Sequence, residues 1–495
     1  MKKTALIILV AAIAGSGYTG ASWYFGKQTE AIVNAQYDQL LLMAPYLEIV
    51  ERDYQRGIFT SRESVKLAIS KQLTGDSTSA TGHTGDEDTL HLILHSQIQH
   101  GPFPGFSTYA AAVSDTEVSL PEPIDSDLKR LLGDQSPFSQ QTTINIDGSG
   151  QAIFSSPAFE FELPDQEGGS EEGFKLTWRG IEGNMEFSAD MRQFQFDAKA
   201  PELLFTSESD EVKIKLSGIS MQSAQQKVFD DIPVFFSGKQ QVSVDEVALD
   251  IPETETGQLL VKQLSYEVNL PQEGEFIDMV ERMSIESLRL GEDSIGPIHF
   301  DYSLKHLHAR AVAEISQAFM SLYTDAMLAS GDSAAMMNNL MPVFTEQGTK
   351  LLQHQPEFHL DRISLANAQG ESSFAGRVRL NQFDLEQAMA NPMLLLTKLD
   401  ASGELDLQEE MVIELLRNPP GKAAMAQKIS DPETLEAESA MRAEQFQQQV
   451  AMLTEQGYLT REGKRLKSKA EFKQGQLMIN GKPFMPPQLG NGQQE

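Results

Sequence analysis

The feature that most constrains this chain is an alternation of apolar and polar residues, with a period of two, between about residues 54 and 305. Successive side chains of a strand point to opposite faces, so this alternation predicts strands with one buried and one solvated face. Such strands are typical of antiparallel sheets, because parallel sheets are covered on both faces. Asp147 and Gly148 predict a hairpin turn between two of the strands. The clearest strands are LHLILHSQI at 90–98, FKLTW at 174–178, VKIKL at 212–216, LSYEVNL at 264–270 and IHFDYSL at 298–304.

After about residue 300 the pattern changes, because strands now run directly into helices. Alternating segments at 300–309, 374–383 and 401–407 are each followed by a segment with the helical spacing of apolar residues. The helices are expected to cover a face or an edge of the sheet. The predicted fold class is therefore α+β, with a mainly antiparallel β body, a curved or groove-like sheet, and strand–helix units in the C-terminal part.

The C-terminal region ends in a helix and a hairpin. A charged helix is predicted over 432–456. The segment at 469–484 then predicts a closing hairpin, in which Gly475 and the pair Asn480 and Gly481 mark turns.

The N-terminus predicts a membrane segment. Lys2 and Lys3 precede residues 4–25, which contain no charged side chain and end in three aromatic residues. A helix of this length can cross a hydrocarbon core of about 30 Å at about 1.5 Å per residue. The positive flank predicts a cytoplasmic N-terminus and an exported body, and the aromatic end resembles an interfacial belt.

The alternative for this segment is a cleaved signal peptide. The strongly apolar part at 5–14 is short, and Thr19 and Ala21 are small enough to precede a cut at Ser22. A retained anchor is favoured, because the apolar run continues past that position into the aromatic residues.

The predicted organisation has five parts. They are a transmembrane anchor or uncleaved signal at 1–26, a helical stalk at 27–53, a β-rich periplasmic region at 54–305, a strand–helix region closed by a β-hairpin at 306–485, and a disordered tail at 486–495.

Composition excludes several classes of function. The net charge of −32, from 71 acidic and 39 basic residues, disfavours binding to nucleic acid, because such a field repels a phosphate backbone. The absence of cysteine removes disulfides, thiolate nucleophiles and cysteine metal sites. No cofactor is expected, and no residue is singled out as catalytic.

Histidines are the side chains most suggestive of a site. His306 and His308 lie two apart on a predicted strand and could reach one metal ion, but no third ligand at suitable spacing supports them. They are interpreted as a polar pair at a strand end. His91 and His95 share a strand face but are about 13 Å apart, too far for one metal ion to bridge. No metal ligand is therefore predicted.

Four short stretches carry a resemblance to a known family. They are GASWYFGKQ at 20–28, YQRGIFTS at 54–61, HGPFPGF at 100–106 and GQLMINGKPF at 475–484, in this order. Together they resemble the YdgA-like family of bacterial envelope proteins, whose domain has no assigned function. The matching positions are Tyr54, Arg56, Gly57, Phe59, Ser61, His100, Gly101, Pro102, Pro104, Asn480 and Gly481.

The resemblance implies a Gram-negative protein anchored in the inner membrane with a periplasmic body, and it transfers no catalytic or binding residue. The order of sheet and strand–helix units also resembles that of AsmA-like envelope proteins, which are linked to lipid handling. The favoured hypothesis is a non-enzymatic protein held in the inner membrane by residues 4–25 that holds lipid, or a lipidated partner, in a β-rich groove. The alternative is a scaffold for other envelope proteins, and a hydrolase that uses two carboxylates is the least favoured.

The stretch at 54–61 is interpreted as the joint between stalk and β body. Gly57 suits a bulge or a sharp entry into the sheet, Tyr54 and Phe59 are expected to be buried, and Arg56 is expected to pair with an acid or with sheet-edge carbonyls.

A bulky residue at this joint should destabilise the body. We expect Gly57→Val to lower the free energy of unfolding by about 1 kcal/mol or more, the scale of forcing a branched residue into a strained site. The measurement is the melting temperature, and an unchanged value would refute the interpretation.

Overall fold

The structure is a computed structural model, and it separates the chain into two compact units. Unit 1 comprises Met1–Thr206, Leu216–Val242 and Ala313–Phe344, and unit 2 comprises Ser207–Lys215, Ser243–Val312 and Thr345–Glu495. Side chains of the first helix are described from Gly17 onward. The residues described are 2–44, 46–69, 90–120, 124–133, 135–163, 173–207, 212–250, 258–291, 293–328, 333–383, 391, 393–420 and 432–484.

The fold is α+β and mainly antiparallel, which confirms the coarse prediction. The helices are α1 (Lys2–Met43), α2 (Ile124–Leu132), α3 (Ala309–Leu328), α4 (Ser333–Gln353), α5 (Met393–Lys398), α6 (Glu409–Arg417) and α7 (Pro432–Gln456), with a 3-10 turn at Pro104–Phe106. The strands of the N-terminal half are β1 (Leu47–Arg56), β2 (Thr60–Ile69), β3 (Leu90–His100), β4 (Ala112–Ser119), β5 (Ser139–Ile144), β6 (Gly150–Ser156), β7 (Phe159–Leu163), β8 (Phe174–Trp178), β9 (Ile181–Phe187), β10 (Gln193–Ser207), β11 (Lys213–Lys227) and β12 (Phe236–Asp250). The later strands are β13 (Gln258–Leu270), β14 (Gln272–Glu273), β15 (Phe276–Leu290), β16 (Asp293–Ile295), β17 (Ile298–His308), β18 (Glu357–Asn367), β19 (Gly370–Leu380), β20 (Leu399–Gln408), β21 (Thr460–Glu462), β22 (Arg465–Lys473), β23 (Gln476–Ile479) and β24 (Lys482–Pro483).

Unit 1 contains an open antiparallel sheet in which β1, β2, β3, β4, β5, β6, β9 and β10 are neighbours in that order. Its core is a cluster around Ile98, Ile144 and Phe187, and Phe25 and Ile32 of α1 pack against this cluster. The helix that begins at the N-terminus is therefore part of the core of unit 1. The predicted hairpin at Asp147 and Gly148 joins β5 to β6, and Gly148 has the positive φ that the turn requires.

The structure corrects the predicted stalk at 27–53. Helix α1 ends at Met43, and residues 47–53 form part of β1, which pairs with β2. Two features explain the difference. Pro45 disfavours a helical conformation in the residue before it, and β1 gains ladder hydrogen bonds from β2 on both sides of an irregularity between Ile49 and Glu51. Ser22 and Thr29 are fully buried, so this part of α1 lies on the sheet.

Over the described residues, none of the helices combines the length and the hydropathy of a membrane span.

Unit 2 contains a second antiparallel series, in which β13, β15, β17, β18, β19, β20, β22 and β23 are neighbours in that order. Helices follow β17 and β20 directly, as the strand–helix pattern predicts. The predicted charged helix over 432–456 is α7, and Val450 of this helix packs with Leu459 and Leu466 in a second core cluster. Asn480 and Gly481 both have positive φ and form the predicted turn between β23 and β24. The predicted tail at 486–495 lies outside the described residues.

Glycine in the strands of unit 1 allows aromatic rings to lie on the sheet. At Gly150 a Cβ atom would overlap the ring of Phe187 and would lie 2.6 Å from the carbonyl oxygen of Thr143. At Gly183 a Cβ atom would overlap the ring of Phe154. These strands therefore need glycine for close packing, and no left-handed backbone conformation is involved.

Replacement of Gly150 should be costly. We expect Gly150→Ala to lower the free energy of unfolding by about 1–3 kcal/mol, the cost of inserting atoms into a packed core. The matched control is Gly348→Ala in α4, where a Cβ atom has open space. This control should leave stability unchanged or raise it by about 0.5–1 kcal/mol. Thermal unfolding measures both variants, and equal melting temperatures would contradict the packing argument.

Candidate functional site

The motifs at 54–61 and 100–106 meet at one end of the sheet of unit 1. Strand β2 pairs with β3, and Ser61 lies opposite Ile98, so the β1–β2 hairpin and the β3–β4 loop are neighbours. Gly57 begins the hairpin turn: its N–H donates to the carbonyl oxygen of Thr60 at 2.8 Å. A Cβ atom at Gly57 would lie 2.6 Å from that same oxygen. Gly57 is thus needed for a tight hairpin turn, and the predicted bulge or joint at this position is wrong.

His100 ends β3 and is buried between the two loops, with 2% of its surface exposed. Its Nδ1 lies 2.9 Å from the carbonyl oxygen of Ile58, and its Nε2 lies 2.9 Å from the hydroxyl of Ser61. Because a carbonyl only accepts, we assign the proton to Nδ1, so Nε2 accepts from Ser61. Burial lowers the pKa of His100, which favours this neutral form.

Helix α1 closes over the imidazole of His100. A Cβ atom at Gly26 would lie 2.5 Å from the ring, so only glycine allows the helix to approach this closely. The buried hydroxyl of Ser22 donates to the carbonyl oxygen of Gly101 at 2.6 Å. We refer to Ser22, Gly26, Ser61, His100 and Gly101 as the His100 node.

The β3–β4 loop is held by its own backbone. The N–H of Gly101 donates to the carbonyl oxygen of Ala111 at 2.6 Å, and the peptide bond to Pro102 is cis. Pro104 is buried, and Gly105 has a φ of +54°, which favours glycine. The glycines and prolines of the HGPFPGF motif therefore set the path of this loop.

The remaining motif residues of unit 1 support the same region. Tyr54 packs against the core cluster, and burial raises the pKa of its hydroxyl. Arg56 pairs with an acid, because its guanidinium lies 2.8 Å from the carboxylate of Glu30 in α1. Phe59, which was expected to be buried, is 48% exposed and stacks on Tyr18.

Asn480 and Gly481 serve a local structural purpose in unit 2. The side-chain amide of Asn480 donates to the carbonyl oxygen of Tyr458 at 3.0 Å, and its side-chain oxygen accepts from the N–H of Lys469 at 2.9 Å. This turn therefore ties the final hairpin to the segment that follows α7.

The Ser61–His100 pair has the tautomer of a nucleophile and its general base. A cavity of about 620 Å³ lies beside it, lined in part by Tyr18, Phe59 and Phe106. However, Ser61 and His100 are each only 2% exposed, and Gly26 is packed against the imidazole. The geometry is that of a clamp joining the hairpin, the loop and the helix.

In unit 2, His306 and His308 are both placed around Phe276. His306 has a φ of +58° and stacks on the phenyl ring at 4.0 Å, whereas His308 meets it edge-on at 6.5 Å. The Nδ1 of His308 accepts from the N–H of Ala311, at the start of α3. The pair therefore takes part in ring stacking and in capping a helix.

A third histidine, His354, completes this cluster and was missed by the sequence reasoning. Its ring stacks on His308 at 4.8 Å, and its carbonyl oxygen lies 2.6 Å from Nδ1 of His306. No periodic pattern links residue 354 to the strand, because it follows α4. In the part of the chain that the structure describes, no three His, Asp or Glu side chains are arranged to hold a metal ion.

Ser22, Gly26 and Tyr18 of α1 were also missed as members of the site. The signal that was available is the spacing of small residues, since Ser22, Gly26 and Thr29 lie on one face of a helix.

Protonation of His100 should weaken the clamp. In the unfolded chain the imidazole of His100 binds a proton at a pH near 6.5. In the folded chain the pKa of His100 is lowered, so the imidazole binds this proton only at lower pH. The unfolded state thus holds more protons in this window, and stability falls as pH falls. We expect the free energy of unfolding to drop below about pH 6.5 by up to about 1.4 kcal/mol per pH unit from this group.

The measurement is urea unfolding at a series of pH values for the wild type and for His100→Gln. The variant should lose this part of the pH dependence. Ser61→Ala is the matched control, because it removes one hydrogen bond and keeps the titrating ring. Identical pH profiles for the wild type and His100→Gln would show that His100 is not the group responsible.

Comparisons with known proteins extend the resemblance over nearly the whole chain. Residues 1–487 match the family described as "Bacterial protein of unknown function (DUF945)". Protein YdgA of Escherichia coli (strain K12) is 22% identical over 406 residues, which cover 75% of this chain and 74% of that protein. No solved structure matches the chain. The family match and the similarity to YdgA both confirm the YdgA-like resemblance. The chain therefore belongs to the DUF945 family of bacterial proteins of unknown function.

Proposed function

We propose that this protein is a non-enzymatic, membrane-anchored envelope protein that holds lipid acyl chains on an apolar sheet face in unit 2. Its N-terminus lies in the cytoplasm and its body in the periplasm. The observation that carries the proposal is a broad apolar face that is left partly exposed. The N-terminal lysines and the uncharged run at 4–25 support the anchorage.

The apolar face follows from the strand register of unit 2. Residues directly opposite one another on neighbouring strands share a face. One row consists of Tyr266, Met283, Phe300, Ile363, Phe374 and Leu405. A second row on the same face consists of Met279, Leu304, Phe358, Val378, Ala401 and Phe472.

The opposite face of these strands is polar. From β17 to β22, one row there consists of Ser303, His359, Arg377, Ser402 and Glu471. The two faces thus follow the period-two alternation of side chains along a strand. The apolar side should then be covered by another layer or by a ligand.

Among the residues that the structure describes, a helix packs on one end of the apolar face. At β20, Leu405 packs against the cluster of Val450, Leu459 and Leu466 beneath α7. Further along the same row, Phe300 and Phe374 are each 39% exposed. An apolar surface of this extent is typical of a binding site.

The exposed part of the face is smooth around Phe374. It also carries the carboxylate of Glu281, which has polar partners. The ring of Phe374 lies against Gly376 and Gly403, where Cβ atoms would approach it within 3.5 Å and 3.3 Å. The hydroxyl of Tyr266 donates to Glu281 at 2.6 Å, and this bond raises the pKa of Tyr266 to about 12. A smooth aliphatic and aromatic surface suits flexible acyl chains.

The scaffold alternative uses the same face. An apolar segment of another envelope protein would gain the same burial as an acyl chain, about 1.5–3 kcal/mol for each large side chain fully buried. The experiment therefore has to distinguish lipid from protein as the occupant.

Photo-crosslinking in bacterial cells can distinguish them at a single residue. p-Benzoylphenylalanine at position 300 should form adducts with phospholipid, detected by mass spectrometry of the purified full chain. The matched control is the same group at position 299, the next residue of β17, which lies on the polar face opposite Ser284. It should form no lipid adduct.

The outcomes differ for each hypothesis. Protein adducts at position 300 would support the scaffold, and equal lipid labelling at 299 and 300 would refute a specific face. As a second readout, the double variant Phe300→Ser, Phe374→Ser should retain about tenfold less phospholipid on purification, because covering the exposed parts of the two rings contributes about 1.4 kcal/mol in total.

A further inference from the structure

A set of exposed apolar side chains surrounds α1 at the loop end of unit 1. Tyr18 lies at the centre, and its ring stacks on Phe59 at 5.9 Å and on Phe106 at 5.7 Å. The Tyr18 hydroxyl donates to the carbonyl oxygen of Phe103 at 3.0 Å. We refer to the exposed residues around Tyr18 as the aromatic collar: Trp23, Ile58, Phe59, Phe103, Phe106 and Tyr109.

The collar is exposed although its backbone is firmly held. Phe106 is 84% exposed and Tyr109 is 67% exposed. The loops that carry them are fixed by the His100 node, in which Ser22 is bonded to Gly101 and His100 to Ile58. The apolar side chains are therefore presented on a rigid frame, and local folding of these loops does not bury them.

The collar contains no charged residue, in a chain that is strongly acidic. Residues 4–26, 57–61 and 96–114 contain no Asp, Glu, Lys or Arg, whereas the whole chain has 71 acidic and 39 basic residues. Three segments that are far apart in sequence thus bring uncharged surface to one place. Exclusion of charge together with enrichment of aromatic rings is the composition of a membrane interface.

The length of α1 also indicates where the bilayer meets the body. The helix enters the collar at Tyr18, so residues 4–17 are the uncharged part that precedes it. At about 1.5 Å per residue these residues span about 21 Å, against a hydrocarbon core of about 30 Å. The shortfall of about 9 Å falls within the depth of about 5–10 Å to which interfacial apolar groups enter a bilayer.

We infer that the aromatic collar inserts into the periplasmic leaflet of the membrane that holds α1, so that unit 1 rests directly on the bilayer. This inference rests on the proposed anchorage and not on the proposed lipid-holding face of unit 2. The attraction is hydrophobic, because the collar has no charge with which to bind anionic headgroups. Docking should therefore persist when salt is raised.

Depth-dependent fluorescence quenching tests the inference on the full chain. Trp23 and Trp178 are first replaced by phenylalanine, and Phe106→Trp then supplies the only indole. The protein is reconstituted into vesicles of phosphatidylethanolamine and phosphatidylglycerol that contain phosphatidylcholine brominated near the headgroup end of its acyl chains. The indole at position 106 should lose emission to the bromine and shift to shorter wavelength, in low and in high salt.

Ile153→Trp in the same background is the matched control, because Ile153 is 55% exposed on β6 of unit 1 and lies outside the collar. It should not be quenched. Phe59→Trp provides a second reporter in the collar should Phe106→Trp fold poorly. Flotation of the vesicles reports the anchorage separately from the depth of the indole.

Failure of the proposed anchorage and failure of the collar insertion give different results. Protein that does not float with the vesicles would overturn the anchorage and the collar together. Protein that floats but shows equal, weak quenching at positions 59, 106 and 153 would overturn the collar alone and would leave the anchorage intact.

Discussion

The imidazole of His100 is in contact with three parts of the chain that are distant in sequence. Nδ1 bonds to the carbonyl oxygen of Ile58 in the β1–β2 turn, Nε2 bonds to Ser61 in β2, and the ring packs against Gly26 in α1. Because the ring fills the space between helix and sheet, it fixes how closely α1 approaches β3. The bond between Ser22 and Gly101 depends on that approach, and a residue larger than glycine at position 26 would separate the two elements.

This clamp connects the core of unit 1 to its apolar loop end. On one side of it Phe25 and Ile32 are packed against the core cluster. On the other side Phe106 and Tyr109 are held in exposed positions. The same close packing therefore produces a buried core and an apolar surface that the described part of the chain leaves exposed. Rigid presentation lowers the conformational entropy that such a surface would lose on binding.

The sequence predicted those features that depend on neighbouring residues. Alternation identified β3 and β17, and the Asn480 and Gly481 pair identified a turn, because strand faces and turn conformations are set locally. Gly57 was recognised as a special backbone position, but its partner Thr60 could not be inferred, so a hairpin turn was interpreted as a joint. The contact between Gly26 and His100 could not be predicted, because no periodic pattern connects a helix residue with the end of a strand so distant in sequence.

The exposure of the apolar face of unit 2 also depends on contacts that are distant in sequence. Alternation predicts that a strand has an apolar side, but it does not tell whether another layer of protein covers that side. Here α7 covers the face at Leu405, and the described residues leave Phe374 and Phe300 of the same row each 39% exposed. The sequence pattern of a strand such as β17 is the same whether its apolar side is buried in a core or exposed as a surface. The distinction depends on where a helix that is distant in sequence packs, and α7 packs at Leu405 rather than at Phe300.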